Sequence, residues 1–209
     1  RPQQRIHLDA FQIDKFEVSV AQYRQCVEAG KCPAPDIAGG GPCNWGQSGR
    51  DDHPINCVDW EQARSYCTWA GKRLPTEAEW EKAARGTDGR EYPWGNEPPD
   101  CEKVNFGGCS GMTVPVTRFS GSASPYGAVQ MAGNVWEWTA DWYDGTYYGK
   151  SPASNPRGPS SGTSRVVRGG AWDSRLEDQK KAAKRDSVSP PSRFGGLGFR
   201  CAGLGRSSE

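Results

Sequence analysis

Gly71-Lys72-Arg73-Leu74-Pro75-Thr76-Glu77-Ala78-Glu79-Trp80-Glu81 holds the end of one helix and the start of the next. Thr76 followed three residues later by Glu79 is a capping box, in which the hydroxyl accepts the N3 amide and the carboxylate reaches back to the cap. Trp80, Ala83 and Ala84 then fall on one inward face, and Gly86 supplies a stop. Upstream, Gly71 closes a helix that opens at Asp59 with Gln62 and carries Ala63, Tyr66, Cys67 and Ala70 as its apolar stripe. Ser19 with Gln22 opens another, with Val20, Tyr23 and Val27 on one side and Gly30 at the end, so the spacing predicts a helix over residues 20 to 28.

Outside these helices the periods are short. Phe11 to Val18 alternates apolar with polar residues and reads as a half-buried strand. Residues 31 to 56 are rich in Gly, Pro, Asn and Asp without a sustained period, and read as a long loop tethered by Cys32, Cys43 and Cys57. From residue 87 onward the chain is punctuated by turns such as Tyr92-Pro93-Trp94-Gly95-Asn96 and Ser124-Pro125-Tyr126-Gly127. Val116 to Phe119, Val135 to Thr139 and Arg165 to Arg168 are the candidate brief strands between them. No repeat at a period of roughly 20 to 50 residues is present, which excludes solenoids and propellers.

The 209 residues fit one domain with a core of its own. Only 34% are hydrophobic, yet nine are Trp, so the core must rest on few, large side chains. Burial of an aromatic contributes about 1.5 to 3 kcal/mol, which makes a sparse core workable. The 27 Gly and 16 Pro stay below the level at which disorder is the default, which leaves a loop-rich folded domain. With 26 basic and 25 acidic residues interspersed, the chain has no electrostatic footprint for nucleic acid. No run approaches the roughly 18 apolar residues of a membrane span, and no signal segment opens the chain. Its start at Arg1, close before a strand, reads as that of a mature or excised fragment.

Eight cysteines with no Cys-x-x-Cys unit, and only His7 and His53 beside them, suit disulfides better than a structural zinc site. Disulfides persist in oxidising compartments, so the expected location is extracytoplasmic: periplasmic, cell-surface or secreted.

Several segments in fixed order resemble the formylglycine-generating enzyme (sulfatase-modifying factor) family. They are Phe16-Glu17-Val18-Ser19, Cys57-Val58-Asp59-Trp60, the Gly71 to Glu81 segment, Tyr92-Pro93-Trp94-Gly95, Gly133-Asn134-Val135-Trp136-Glu137-Trp138, Arg168-Gly169-Gly170-Ala171-Trp172 and Gly198-Phe199-Arg200-Cys201. The likeness runs from about Leu8 to Ala202. It implies an α+β fold, a single compact domain of the C-type-lectin-like kind with little regular secondary structure, small twisted sheets and two or three short helices. It also implies a disulfide between Cys67 and Cys201. The other six cysteines allow fifteen pairings, of which the locally closed set Cys26 with Cys32, Cys43 with Cys57 and Cys101 with Cys109 is preferred.

In the family's oxidases a copper-binding cysteine pair follows the Gly-Gly turn. Here the matching stretch reads Asp173-Ser174-Arg175-Leu176-Glu177-Asp178-Gln179, and no cysteine lies between Cys109 and Cys201. Ser174 and Gln179 stand where the thiols should be, and neither supplies the soft ligand that Cu(I) selects. The expectation is therefore no copper and no oxidase activity. Two histidines are too few for the histidine-rich iron site of the family's carbon–sulfur bond-forming members, and no Ser or Cys sits in a nucleophile context. What remains is a recognition or sensor module for a protein, peptide or small-molecule ligand. Its binding candidates are Asp173, Ser174, Arg175, Glu177, Asp178, Gln179, Arg193 and Phe194. The alternatives are an enzyme of different chemistry on the same cleft and a variable binding protein of a diversity-generating retroelement.

The resemblance also implies structural calcium. Gln130, the carbonyls of Gly133 and Val135, and the carboxylate of Glu137 match one family site, with mixed oxygen donors that suit Ca²⁺. Asn105 and Phe106 match the start of a second, whose expected acidic residue has no counterpart in Gly107-Gly108-Cys109-Ser110. Arg185 and Arg200 are expected to pair with buried carboxylates such as Glu79 or Glu137, and Lys72 and Arg73 to satisfy carbonyls and carboxylates rather than a substrate.

Overall fold

The computed structural model describes residues 4–38, 41–175 and 181–205. Three helices form where the capping boxes fall: α1 (Val20–Glu28), α2 (Trp60–Trp69) and α3 (Glu77–Arg85). At each start the cap side chain accepts the N3 amide and the N3 side chain returns the bond, as Ser19/Gln22, Asp59/Gln62 and Thr76/Glu79. Gly30, Gly71 and Gly86 all adopt positive φ just past the helix ends, the conformation for which glycine carries no steric cost.

The strands are β1 (Phe11–Ile13), β2 (Trp136–Trp142), β3 (Arg165–Arg168), β4 (Arg185–Val188), β5 (Leu197–Gly198) and β6 (Ala202–Leu204). Four of them form a sheet in the order β4-β3-β2-β5, with β2 antiparallel to β3 and parallel to β5. A second, two-stranded sheet pairs β1 with β6 and brings the two ends of the described chain together.

Two of the strands expected from the sequence differ. Only Phe11–Ile13 of the Phe11 to Val18 run is a strand, because β6 offers three partners and no more. Past it, the Asp14 and Val18 amides donate to the Cys201 and Phe199 carbonyls as single bonds, without a continuous ladder. Val116 to Phe119 is a turn rather than a strand, and Phe119 takes a left-handed φ of 62° that closes it.

The core rests on aromatics, as the composition required. Tyr23, Tyr66 and Phe199 pack with ring centroids 5.5 to 6.5 Å apart, joining α1 and α2 to the segment after β5. Buried indoles find partners for their N–H groups: Trp138 donates to the Val58 carbonyl at 3.0 Å and Trp60 to the Thr139 carbonyl at 2.8 Å. A smaller cluster of Trp80, Ala83, Ala84, Ala128, Met131 and Ala182 lies under α3. Four disulfides join Cys26 to Cys32, Cys43 to Cys57, Cys67 to Cys201 and Cys101 to Cys109, the preferred local pairs together with the long-range one. Among the described residues no helix is long and apolar enough to cross a membrane.

Candidate functional site

The loop after β3 carries the first group of candidates. Ser174 is buried, and its hydroxyl accepts the Ala171 amide at 2.9 Å while its own amide donates to the Ala171 carbonyl. The side chain thus closes a turn and does not face solvent. Gly107 packs against this turn, its amide donating to the Ser174 carbonyl at 3.0 Å; a Cβ on Gly107 would stand at that same distance from the carbonyl oxygen. Asp173 and Arg175, on either side, are exposed. Glu177, Asp178 and Gln179 lie outside the described residues.

Arg193 is exposed and reaches the N-cap of α2, donating through Nε to Asp59 Oδ2 at 3.1 Å, with Asp36 at 3.9 Å. Phe194 is half-buried against the main core. Beneath this face runs a polar floor: the Asn56 amide donates to the Pro42 and Gly195 carbonyls, and Trp172 also donates to Gly195. His53 is part of it, in contact with Thr113 Oγ1 at 2.9 Å and with the Arg50 guanidinium. Burial and the Arg50 charge push the imidazole below its usual range. It serves as a loop anchor. A cleft of about 720 Å³ lies elsewhere, between β1, β6 and α3, and none of the binding candidates lines it.

The second group gathers around the Gly133 to Glu137 segment. Gly133 has a φ of 72°, and a Cβ there would stand 2.2 Å from the Asn105 carbonyl oxygen, so only glycine lets the two loops meet. Asn134 ties three segments, donating to Glu17 Oε2 at 2.7 Å and accepting from the Val114 amide at 2.9 Å. Glu137 is fully buried and already engaged: both oxygens accept from Arg200 at 2.7 Å, and Oε2 also takes the Trp80 indole N–H at 2.7 Å. Arg200 is thereby paired as the sequence suggested. Arg185 pairs instead with Glu77 at 2.6 Å, because Glu79 is held bidentately by Arg73.

Gln130 sits at a left-handed φ of 55°, which turns its amide inward. Its Nε2 donates to the Pro115 carbonyl at 2.9 Å, while its Oε1 is buried with no donor. Buried acceptors in native proteins are almost always satisfied, and an unpaired amide oxygen is a donor of the kind that a hard, oxygen-seeking cation takes. At the second expected position, Asn105 Oδ1 accepts from the Ser110 hydroxyl at 2.5 Å and its carbonyl accepts from Asn134, while the Cys101–Cys109 disulfide closes the loop.

Glu17 was missed as a site residue. It is 1% exposed, and burial together with the nearby Glu137 charge pushes its carboxyl well above the usual range. Glu17 lies in the Phe16-Glu17-Val18-Ser19 segment that carries the resemblance, but nothing local marks it as buried: it reads as one polar residue in a strand-like run, and its partner Asn134 is 117 positions away.

Known proteins agree with this architecture. The chain is 44% identical over 174 residues to the formylglycine-generating enzyme of Streptomyces coelicolor, covering 74% of this chain and 54% of that protein. It thus spans about half the length of the curated relatives it matches. Its fold matches PvdO from Pseudomonas aeruginosa with a TM-score of 0.78 and 26% identity, covering 93% of this chain and 80% of the other. It matches Treponema denticola variable protein 1 with a TM-score of 0.76 and 25% identity, covering 95% and 86%. The family model of the sulfatase-modifying factor enzyme 1-like domain matches residues 1–203, and this chain belongs to that family.

Proposed function

We propose that this domain is a ligand-recognition module built on the formylglycine-generating enzyme fold, without the oxidase chemistry of that fold, and that it works in an oxidising, extracytoplasmic compartment. The carrying observation is Ser174. At the position where the family's oxidases place a thiol, this chain has a hydroxyl that is buried and bonded to the Ala171 amide. A hydroxyl in that role neither binds Cu(I) nor reaches a substrate. All eight cysteines are joined in disulfides, which supports the compartment.

The recognition face in this reading is the rim of exposed charge around Asp173, Arg175 and Arg193, supported by the half-buried ring of Phe194. Loops on a rigid scaffold are where such binding concentrates. A calcium ion held by Gln130 and the carbonyls of Gly133 and Val135 belongs to the same reading as a structural element, not a reactive one.

The test is direct. Incubated with a sulfatase-type cysteine peptide and copper, the domain is expected to leave the peptide unchanged by mass spectrometry. Conversion to formylglycine clearly above a copper-only control overturns the reading. Likeness to the Treponema variable protein favours a second form of it, a variable binding protein. Sequence variation confined to residues 173–194 among copies of the gene supports that form, and invariance there removes it.

A further inference from the structure

In its sheet β1 has one partner, β6, and its other edge is open. The register sets Phe11 against Leu204, Gln12 against Gly203 and Ile13 against Ala202, and on either side the Gly205 amide donates to the Ala10 carbonyl and the Asp14 amide to the Cys201 carbonyl. Bonded and non-bonded pairs alternate along an antiparallel ladder, so Gln12 is the bonded residue of β1, while Phe11 and Ile13 turn their N–H and C=O groups outward. Ala202, opposite Ile13, follows the same alternation: its amide and carbonyl point away from β1 and exchange bonds with Arg73. Among the described residues nothing takes the outward groups of Phe11 and Ile13. Such an edge is a template on which another chain can pair. It is also held in place, since Ile13 packs against the Trp80, Ala83 and Ala84 cluster under α3.

The surroundings of the edge select what can pair with it. Phe11 and Ile13 line the cleft of about 720 Å³ together with Lys72, Lys82, Tyr126 and Leu204. Of the five large apolar side chains exposed among the described residues, Tyr126 and Leu204 both stand here. Lys72 is neutralised by Asp14. Lys82 has no carboxylate partner among the described residues, and its ammonium lies 5.6 Å from the centroid of the Tyr126 ring. The cleft therefore combines exposed apolar surface with one surplus positive charge. A second copy pairing edge to edge would bring another Lys82 to the same cleft, whereas an acidic chain would neutralise it.

We propose that the open edge of β1 is a binding site for an extended acidic peptide segment of a partner protein, which adds to the sheet as a third strand. The peptide backbone bonds to Phe11 and Ile13, alternate side chains lie on Tyr126 and Leu204, and a carboxylate meets Lys82. This site shares no residue with the rim around Asp173, Arg175 and Arg193, and it stands or falls separately from the reading of that rim.

The experiment uses the whole domain and a fluorescein-labelled synthetic peptide in which glutamate alternates with valine. Two comparison peptides carry lysine in place of glutamate, or N-methyl groups along the backbone that prevent pairing. Saturable binding by fluorescence anisotropy is expected for the first peptide alone. Amide hydrogen exchange is expected to slow at Phe11 and Ile13 and to stay unchanged at Gln12, which already bonds to β6. Lys82→Glu is expected to weaken binding by about tenfold. Phe11→Pro removes an outward N–H that the β6 ladder does not use and is expected to weaken binding as much, while Phe11→Leu binds nearly as wild type. If the proline variant lacks the wild-type near-ultraviolet circular dichroism, the N-methylated peptide tests the same bonds on unaltered protein.

No saturable binding at millimolar peptide, equal affinity for the lysine peptide, or full affinity in Lys82→Glu overturns the proposal. So does slow exchange of the Phe11 and Ile13 amides in the free protein, because the edge is then already covered. Sedimentation would assign that cover to a second copy if the protein is a dimer, and to this chain itself if it is a monomer.

Discussion

Asp141 is a buried carboxylate on β2 whose protonation state couples to the whole fold. It is 3% exposed and accepts the Glu77 amide at the start of α3 at 2.8 Å. Burial pushes its carboxyl up to about 7, with the Glu77 and Glu79 charges adding to the shift and the Glu77 amide and Arg185 opposing it. Because the folded value lies above that of the unfolded chain, near 3.9, the folded state holds the proton more tightly. The resulting stability is complete below about pH 4 and lost as pH rises through 7. Asp141→Asn keeps the acceptor for the Glu77 amide and removes the charge. In urea unfolding it is expected to be more stable than wild type at pH 8 and close to it at pH 4. Equal stabilities at pH 8 would mean that the carboxylate stays charged and adequately paired. Neither this residue nor Glu17 was legible in the sequence. Both are single acids whose buried environment is made by segments that arrive from elsewhere in the chain.

Helices were the legible elements because their signals are local. Each capping box lies within four residues, and the structure starts each helix where its box lies. At α3 the box does more than close a helix. Glu79 Oε2 accepts from the Thr76 amide at 2.8 Å, and the same carboxylate holds Arg73 through two 2.6 Å bonds, which fixes the Lys72 to Pro75 turn between α2 and α3. Thr76→Ala is therefore expected to cost about 1 kcal/mol, and Thr76→Ser much less, since the serine hydroxyl can take the same bond. Chemical denaturation of the three proteins checks the order, and a serine variant as unstable as the alanine one would locate the effect in the threonine methyl instead. Strands were less legible for the complementary reason. Alternation in Phe11 to Val18 shows an extended chain, but the length of β1 is set by β6, almost two hundred residues away, and Val116 to Phe119 has β-favouring residues and no partner strand.

At the scale of the molecule, the disulfides divide by the loop they close and by their place in the core. Cys67–Cys201 spans 134 positions and ties α2 to the segment before β6, with both residues fully buried among Tyr66, Phe199 and Leu74. Cys101–Cys109 spans 8 positions in a loop whose Cys101 is exposed. Chain entropy gives about 5 kcal/mol for the first closure and about 2.6 kcal/mol for the second, with native-state strain able to reduce either. The resemblance, not the spacing, supplied the first pair, since a contact between residues so far apart leaves no local mark. The loop after β3 is a different case: the bond that turns Ser174 inward spans only three positions, from the Ala171 amide, yet no periodic or capping signal in the sequence marks it. Replacing Cys67 and Cys201 together by alanine is thus expected to lower stability by several kcal/mol, from the lost constraint and from the void left between α2 and the C-terminal strand. Replacing Cys101 and Cys109 by serine is expected to cost about half as much or less and to leave near-ultraviolet circular dichroism unchanged. If the exposed pair proves the costlier of the two by equilibrium unfolding, then the loop from 101 to 109 carries structure in the folded state beyond its entropy, through the Gly107 contact with Ser174.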